Sequence, residues 1–194
     1  MPIIYSKVTT EPTVEPITRT EAKVHLRVDH TDEDTLIDIL IQAARESVEQ
    51  RINRSLITQS RTVKLDYFPS NYTIYLPYGP LISVTSVKYY DETETLQTLS
   101  STLYWVDSSS NIPRIRIKDS WPSTYDMPNA VEVIYSAGYG AASTNVPKAI
   151  KQAMYLMIGH LYENREQVGD IRYELPFGCD FLLSPYVLEQ NVNY

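Results

Sequence analysis

The sequence predicts an α+β fold, in which a small α-helical bundle holds an inserted antiparallel β-lobe and the termini are extended. Apolar residues recur at spacings of three and four within residues 18–54 and again within residues 146–168. This period indicates two N-terminal helices and one long C-terminal core helix. Residues 58–137 instead alternate with period two between turns about every 8–12 residues, as antiparallel strands do. We expect a single domain over residues 18–186.

The N-terminal residues 1–17 are expected to form an extended arm. Pro2, Pro12 and Pro16 lie among Thr, Val and Glu residues, and each proline restricts the preceding residue to extended conformations. A terminal segment of this kind is ordered only when other residues hold it. We expect contacts with a partner to order this arm.

Two helices follow the arm. The first is expected over residues 21–28 and is capped by Thr18 or Thr20, because Thr18 and Glu21 have the capping-box spacing. The second is expected from about residue 32 to residue 53, with acidic residues at its start, where a helix favours negative charge. Its apolar stripe consists of Ile37, Ile41, Ala44, Val48 and Ile52. The opposite face is polar and includes Glu46, Glu49, Gln50, Arg51 and Arg54.

The β-lobe is expected to contain seven short strands. Their predicted positions are residues 58–67, 73–76, 84–90, 95–99, 103–106, 112–118 and 130–135. Arg114, Arg116 and Lys118 share one face of a strand, since side chains alternate between the two faces. We interpret them as a solvent-facing flank, with a phosphate-binding stripe as the alternative, because the basic residues elsewhere are mixed with acids.

The core helix is expected over residues 146–168 and to be the buried centre of the fold. Pro147 suits its first turn, where a missing backbone N–H costs nothing, and Gly169 is placed to end it. A segment over residues 170–186 should then dock its apolar side chains on the helices of the same chain, with docking on a neighbouring chain as the alternative. Residues 187–194 form a polar C-terminal tail.

The composition excludes several classes of protein. The chain has 24 acidic and 17 basic residues and a net charge of -7, whereas nucleic-acid binding depends on basic contacts to phosphate. The single cysteine, Cys179, forms no internal disulfide, which favours an intracellular or virion setting. No apolar run reaches the roughly 18 residues that span a membrane, and the first residues lack a signal pattern. We expect a soluble protein.

Few residues have a spacing that suggests chemistry. Gly138-Tyr139-Gly140 is half of a dinucleotide fingerprint, but the third glycine is missing, so a turn is the preferred interpretation. His160 and Glu163 lie three residues apart on one helix face and would place two metal ligands together. A di-metal helical site needs this motif on a second helix, and it occurs once. A metal-dependent enzyme is therefore the weakest hypothesis, and we predict no catalytic residue, no metal and no cofactor.

Tyrosine is unusually frequent, with 16 residues against 3 Phe and 2 Trp. Its large ring and polar tip suit half-buried sheets and protein interfaces. Ordinary strand residues are the simpler interpretation, because strands favour aromatic residues. The alternative is a monomeric binding module that uses a Tyr-rich β-sheet surface.

Several short stretches, taken in order along the chain, resemble one protein family. They are Tyr67-Phe68-Pro69 and residues 80–87 (PLISVTSV), 129–133 (NAVEV), 135–140 (YSAGYG), 146–153 (VPKAIKQA) and 160–166 (HLYENRE). Together they resemble the head–tail connector (adaptor) proteins of tailed double-stranded DNA bacteriophages. The similarity extends over residues 18–186.

The resemblance implies a structural protein of the virion neck, between capsid and tail, that is made in the host cytoplasm. Such proteins form a ring, commonly twelve-fold, beneath the portal, and the ring joins head to tail and extends the DNA channel. The implied partners are the portal protein, the next tail or stopper component and further copies of the chain. Double-stranded DNA would pass through the lumen without specific binding. The resemblance implies no catalysis, no cofactor and no membrane.

Candidate contacts with the portal or a neighbouring subunit lie at the end of the core helix and in the C-terminal segment. The two termini, residues 1–17 and 187–194, match nothing in the family pattern and are expected to set partner specificity. The candidate interface residues are Glu163, Arg165, Glu166, Phe181, Leu182, Tyr186, Val187 and Tyr194.

Overall fold

The computed structural model describes residues 5–165 and 177–188 and consists of a group of helices and two β-sheets. The helices in this part are α1 (Arg19–Leu26), α2 (Asp34–Ile52), α3 (Lys148–Glu163) and α4 (Phe177–Leu183). The strands are β1 (Tyr5–Thr10), β2 (Gln59–Leu65), β3 (Thr73–Tyr75), β4 (Leu81–Tyr90), β5 (Leu96–Thr98), β6 (Tyr104–Asp107), β7 (Arg114–Ile117) and β8 (Val131–Ala137). Short 3₁₀ turns lie at Ser101–Leu103, Ser143–Asn145 and Ser184–Tyr186. The predicted α+β class is confirmed.

The strands form two antiparallel sheets that share one apolar core. The larger sheet has the order β1-β2-β8-β4-β5, and the smaller one has the order β3-β7-β6. Tyr135 on β8 is fully buried, and its hydroxyl donates to the carbonyl of Pro77 at 2.7 Å, so the phenol enters the core with its polar tip paired. The core around it includes Val63, Leu65, Ile74, Leu76, Val87, Ile115, Ile117, Val131 and Val133.

A second apolar core lies among the helices, with α3 at its centre. Ile150, Ala153, Met154 and Ile158 of α3 are all fully buried, and α1, α2 and α4 each pack against this helix. The predicted central position of the core helix is therefore confirmed. The partner stripe on α2 consists of Ile37, Ile41, Ala44, Val48 and Ile52, as the helical period predicted.

The core helix is shorter than expected at its C-terminal end. The sequence pattern predicted helix to residue 168, but α3 ends at Glu163. Asn164 leaves the helical conformation, and its side-chain amide donates to the carbonyl of His160 at 2.8 Å. A side chain that bonds nearby backbone competes with a further helical turn, which explains the early end. Gly169, the predicted stop, lies outside the described residues.

The predicted capping box at the start of α1 is confirmed. The backbone N–H of Glu21 donates to the Thr18 hydroxyl at 3.2 Å, and the Thr18 N–H donates to the Glu21 carboxylate at 2.7 Å. This reciprocal pair lets the helix begin at Arg19, two residues before the predicted start. Asp34 at the start of α2 pairs with Lys23 at 2.7 Å and so ties the first two helices together.

The N-terminal arm is ordered by the chain itself, whereas the sequence suggested that a partner orders it. Strand β1 pairs antiparallel with β2, in a register that places Ser6 opposite Val63, and the register shifts between Val8 and Thr10. This pairing satisfies backbone groups that an isolated arm would leave to water. The sequence pattern missed it because strand pairing is a non-local contact. Residues 1–4 lie outside the described part.

The two chain segments that connect the helices to the sheets lie against each other. The backbone N–H of Thr58 donates to the carbonyl of Gly140 at 3.0 Å. Gly138 has φ +140°, and a β-carbon there would lie 2.5 Å from the backbone of Ile57, so only glycine fits. The glycine motif therefore serves a close backbone crossing, in agreement with the turn interpretation.

A polar cluster centred on the buried Arg45 lies where α2, the N-terminal arm and β2 meet. We call it the Arg45 joint, and its members are Arg45, Glu11, Glu15, Glu49 and Gln59. Arg45 is 2% exposed, and its guanidinium lies 2.9 Å from Glu15, 3.5 Å from Glu11 and 3.5 Å from Glu49. The carboxylate of Glu49 also accepts a hydrogen bond from the Gln59 amide at 3.0 Å. One cation thus links three parts of the chain.

The position of Glu49 differs from the expectation that it lies on a polar outer face of α2. It is 5% exposed and accepts a hydrogen bond from the backbone N–H of Leu56 at 2.7 Å. Burial raises the pKa of Glu49 and also that of Glu15, although the Arg45 charge opposes the rise in both. The helical period locates the faces of α2 correctly, but it does not reveal that the arm and β2 cover this face.

Replacing Arg45 with Met removes the cation of the joint and keeps much of the side-chain volume. Glu49 then stays buried without its charge partner, so we expect the free energy of unfolding at pH 7 to fall by about 3–5 kcal/mol. Urea denaturation measures this loss. The control is Arg51→Met on the same helix, which breaks a half-exposed ion pair with Asp180 and should cost less than about 1 kcal/mol.

The loss in Arg45→Met should depend on pH in one direction. The folded-state pKa of Glu49 is already raised, and removal of Arg45 raises it further, so folding of the variant favours the protonated carboxyl. The stability deficit should therefore shrink as the pH falls through that raised pKa towards the ordinary Glu value of about 4.3. A deficit that is the same at pH 7 and at about pH 5 would contradict the assignment.

Candidate interaction surfaces

The sequence-predicted interface residues fall in two separate places on the helices. One group lies at the end of α3 beside the start of α2, and the other lies on α4 and the turn after it, beside the end of α2. The first group is Glu163 and Arg165, and the second is Phe181, Leu182, Tyr186 and Val187. Because α2 has 19 residues, about 28 Å separates its two ends. Glu166 and Tyr194 lie outside the described residues.

Arg165 is engaged within its own chain. Its guanidinium lies 2.6 Å from the Glu33 carboxylate, just before α2, and 4.6 Å from the centre of the Tyr162 ring. The Tyr162 hydroxyl donates to the same carboxylate. The hydrogen bond from Arg165 is the main reason that the pKa of Glu33 is lowered. Glu163 and Arg165 are both exposed, and Arg165 is the one of the two that an ion pair holds within the chain.

His160 and Glu163, considered above as metal ligands, lie at the exposed exit of α3. The Nδ1 atom of His160 lies 3.4 Å from the side-chain nitrogen of Asn164. Within residues 5–165 and 177–188, no group of three or more His, Cys, Asp or Glu side chains is arranged to hold a metal ion. The local geometry is that of a capped helix end.

The C-terminal segment packs on the helices of its own chain. The Cys179 thiol is buried and donates to the carbonyl of Ala153 at 3.5 Å, and Leu183 enters the helical core. Arg54 donates to the carbonyl of Tyr186 at 2.7 Å, and the N–H of Leu188 donates to a carbonyl at the end of α2 at 2.9 Å. These contacts fix α4 and the turn after it as a rigid part of the surface.

The predicted residues of this segment differ in accessibility. Leu182 and Tyr186 are half-buried and pack against the helical core, so they chiefly hold the segment in place. Phe181 is 74% exposed and Val187 is 38% exposed. Phe181 and Val187 are therefore the apolar residues of this segment that a partner can reach.

A further surface that the sequence pattern did not identify lies on the outer side of the smaller sheet. We call it the Trp105 face, and its members are Tyr72, Leu103, Trp105, Arg116 and Lys118. Trp105, Leu103 and Tyr72 are each about half exposed, at 57%, 50% and 48%, and strand pairing places Trp105 opposite Arg116. The sequence revealed the basic alternation along β7, but the aromatic neighbours come from β6 and from the turn before β3, which only the fold brings together.

The tyrosines do not form one surface in the described part of the chain. Tyr135 and Tyr104 are buried in the β core, whereas Tyr155 and Tyr162 pack against the helical core. Three others, Tyr67, Tyr72 and Tyr125, are exposed to between 38% and 48%. This distribution favours the interpretation of most tyrosines as ordinary packing residues.

The family of the protein follows from a comparison with known family models. Residues 15–169 match the model of the head completion protein family, which is most of the chain. The protein therefore belongs to the head completion protein family. This result confirms the resemblance to head–tail connectors that the sequence stretches indicated. No curated protein matches the chain.

Solved structures of gene transfer agent (GTA) particles contain chains of the same fold. A chain in the neck of the empty GTA particle, with C6 symmetry, has a TM-score of 0.81 and 20% identity over 98% of this chain and 98% of that chain. A chain in the virion of the native particle has a TM-score of 0.81 and 21% identity over 97% and 98%. A chain in the native neck, with C12 symmetry, has a TM-score of 0.77 and 20% identity over 99% and 98%. The fold is therefore shared along nearly the whole chain.

Among the described residues, no helix has the length and apolar character that crossing a membrane requires.

Replacing Arg165 with Met tests whether this side chain is paired with Glu33 of the same chain. Because its hydrogen bond lowers the pKa of Glu33, the variant should raise that pKa towards the ordinary value, as an NMR titration of the Glu33 carboxyl carbon can measure. The exposed neighbour provides the control, since Glu163→Gln should leave the Glu33 titration nearly unchanged. An unaltered Glu33 pKa in Arg165→Met would mean that Arg165 is available to a partner.

Proposed function

We propose that this protein is a structural component of the neck of a phage-like particle, where copies of it form a ring beneath the portal. The ring joins head to tail and extends the DNA channel. The family match over residues 15–169 is the main support, and the fold similarity to chains in GTA necks supports the position. The role is structural and needs binding surfaces rather than a catalytic centre, a metal or a cofactor.

The proposed ring has twelve copies. The native GTA neck that contains a chain of the same fold has C12 symmetry. A cyclic ring of identical subunits forms by heterologous contact, in which each copy presents two different faces to its two neighbours. Further faces then remain for the portal protein on one side and for the next tail or stopper component on the other.

Double-stranded DNA is proposed to pass through this ring without specific binding. The chain has a net charge of -7, and repetition around a ring multiplies that charge. Each basic contact to phosphate would add attraction between wall and DNA. An acidic wall therefore suits a channel through which DNA slides.

The outer side of α4 is the proposed contact with the portal or the next tail component. Phe181 is its exposed apolar anchor, at 74% exposure. The Arg51–Asp180 ion pair, at 2.9 Å, and the buried Leu183 hold the helix that presents it. A helix that is already held rigid loses little backbone entropy when it binds.

Mixing the full chain with the portal protein of the same particle tests the proposed function. We expect a complex that sediments as one species with several copies of the chain on each portal ring. A Tyr-rich binding module would instead remain a monomer that ignores the portal. A chain that stays monomeric with portal protein present at all concentrations would contradict the proposal.

Replacing Phe181 with Ala tests the proposed contact surface. The variant should keep its stability within about 0.5 kcal/mol, because the side chain is mostly exposed, but should bind its neck partner about tenfold more weakly or worse. The matched control is Val24→Ala on α1, where the side chain is 75% exposed. Equal binding by the two variants in a sedimentation assay would remove Phe181 from the contact.

A further inference from the structure

The Trp105 face carries two cations, Arg116 and Lys118, and one exposed acidic residue, Asp119, lies beside them in the same surface depression. Arg114, on the same strand, is paired with Asp107 at 3.0 Å. In the part of the chain that the structure describes, Arg116 makes no ion pair. The ammonium of Lys118 donates to the carbonyl of Thr102 at 2.6 Å and lies 5.6 Å from the centre of the Trp105 ring. These contacts fix its position while its charge stays available.

The composition of this face fits a protein partner better than DNA. Trp, Tyr and Arg are the residue types that dominate binding energy at protein interfaces, and Leu103 adds exposed apolar area beside them. DNA would instead require many phosphate contacts, because its affinity rises with the number of basic side chains. Two cations and one carboxylate leave this face with a net positive charge next to three exposed apolar residues. This combination favours an acidic protein surface with apolar residues of its own.

Such an acidic surface exists on the same chain, at the hairpin between β4 and β5. We call it the Glu92 turn, and its members are Glu92, Glu94, Leu96, Tyr125 and Asp126. All five are exposed, with Leu96 at 51% and Tyr125 at 38%. The backbone N–H of Tyr125 donates to the carbonyl of the last residue of β4 at 3.0 Å, which places this loop beside the hairpin.

The hairpin is held in a defined shape. The carboxylate of Asp91 accepts hydrogen bonds from the Thr93 hydroxyl and backbone N–H at 2.6 and 2.9 Å, from the Thr95 N–H at 3.0 Å and from the Gln97 amide at 2.7 Å. These bonds, led by that from the Thr93 hydroxyl, lower the pKa of Asp91 to about 2. These bonds hold the turn in one shape, and the side chains of Glu92 and Glu94 stay exposed for a partner.

We propose that the Trp105 face of one copy binds the Glu92 turn of the next copy around the ring. The two surfaces have opposite charge, and each has exposed apolar residues. One is the outer side of the smaller sheet and the other is a hairpin end of the larger sheet, so they are different faces, as heterologous ring closure requires. This assignment rests on the proposed function and identifies the two faces that join neighbouring subunits.

Charge reversal with rescue tests the contact in complexes of the full chain with portal protein. Reversing the charge of the Trp105 face with Arg116→Glu and Lys118→Glu should lower the number of copies bound to each portal ring at least fivefold. Reversing the charge of the Glu92 turn with Glu92→Lys and Glu94→Lys should have the same effect. All four substitutions in one chain should restore ring formation, because the opposite charges meet again between neighbours. Lys148→Glu, an exposed charge reversal on α3, should leave assembly unchanged.

Cysteine cross-linking provides a readout that does not depend on stability. Chains with Trp105→Cys are mixed with chains with Glu92→Cys, assembled on portal protein and oxidised. A disulfide-linked dimer of the two variants is expected, whereas a mixture of Trp105→Cys with Val24→Cys should give none.

The outcomes separate this proposal from the proposed function. If the unmodified chain fails to bind portal protein, both are wrong. If complexes form and neither charge reversal nor cross-linking shows the contact, the assignment of the two faces is wrong, whereas the proposed ring is unaffected. If reversal of the Trp105 face leaves assembly intact but weakens retention of DNA in the channel, the face contacts DNA and the assignment to a neighbouring copy is wrong.

Discussion

The ion pairs of the Arg45 guanidinium are the interaction on which the arrangement of the arm, the helices and the larger sheet depends. The guanidinium is nearly inaccessible to water, and four carboxylates compensate its charge: those of Glu11 and Glu15 in the arm and those of Glu46 and Glu49 on α2. Leaving a charge buried without these partners is strongly unfavourable. The arm, the helices and the larger sheet are therefore coupled, since the hydrogen bonds of Glu49 to Leu56 and Gln59 continue the network into β2.

This coupling matters for a protein that holds other components in place. The helices and the sheets have separate apolar cores, and two such units joined by apolar contacts alone would have fewer constraints on their relative position. A network of directed hydrogen bonds and ion pairs fixes one arrangement. The exposed Phe181 on α4 and the Trp105 face on the smaller sheet are thus held in one arrangement, which suits the proposed ring subunit.

The sequence predicted those features that depend on local patterns. The period of Ile150, Met154 and Ile158 located the core helix, and Thr18 with Glu21 located the first cap.

The predictions that failed concerned features that depend on contacts between distant parts of the chain or on a single competing side chain. Asn164 ended α3 early, pairing with β2 ordered the arm, and Glu49 lay on a helix face that the arm and β2 cover. Among the candidate interface residues, Arg165 proved to be paired with Glu33, which is distant in the sequence. The Trp105 face was missed because its members come from different strands and turns.

A reconstruction of the chain assembled on portal protein, by electron microscopy, tests the central claim most directly. We predict a closed ring of twelve copies on the portal axis, with a continuous central channel. In that ring, the β-lobe of each copy should touch the next. A map that shows the chain off the axis, or as single copies attached to the outside of the portal, would contradict the claim that this protein builds the neck.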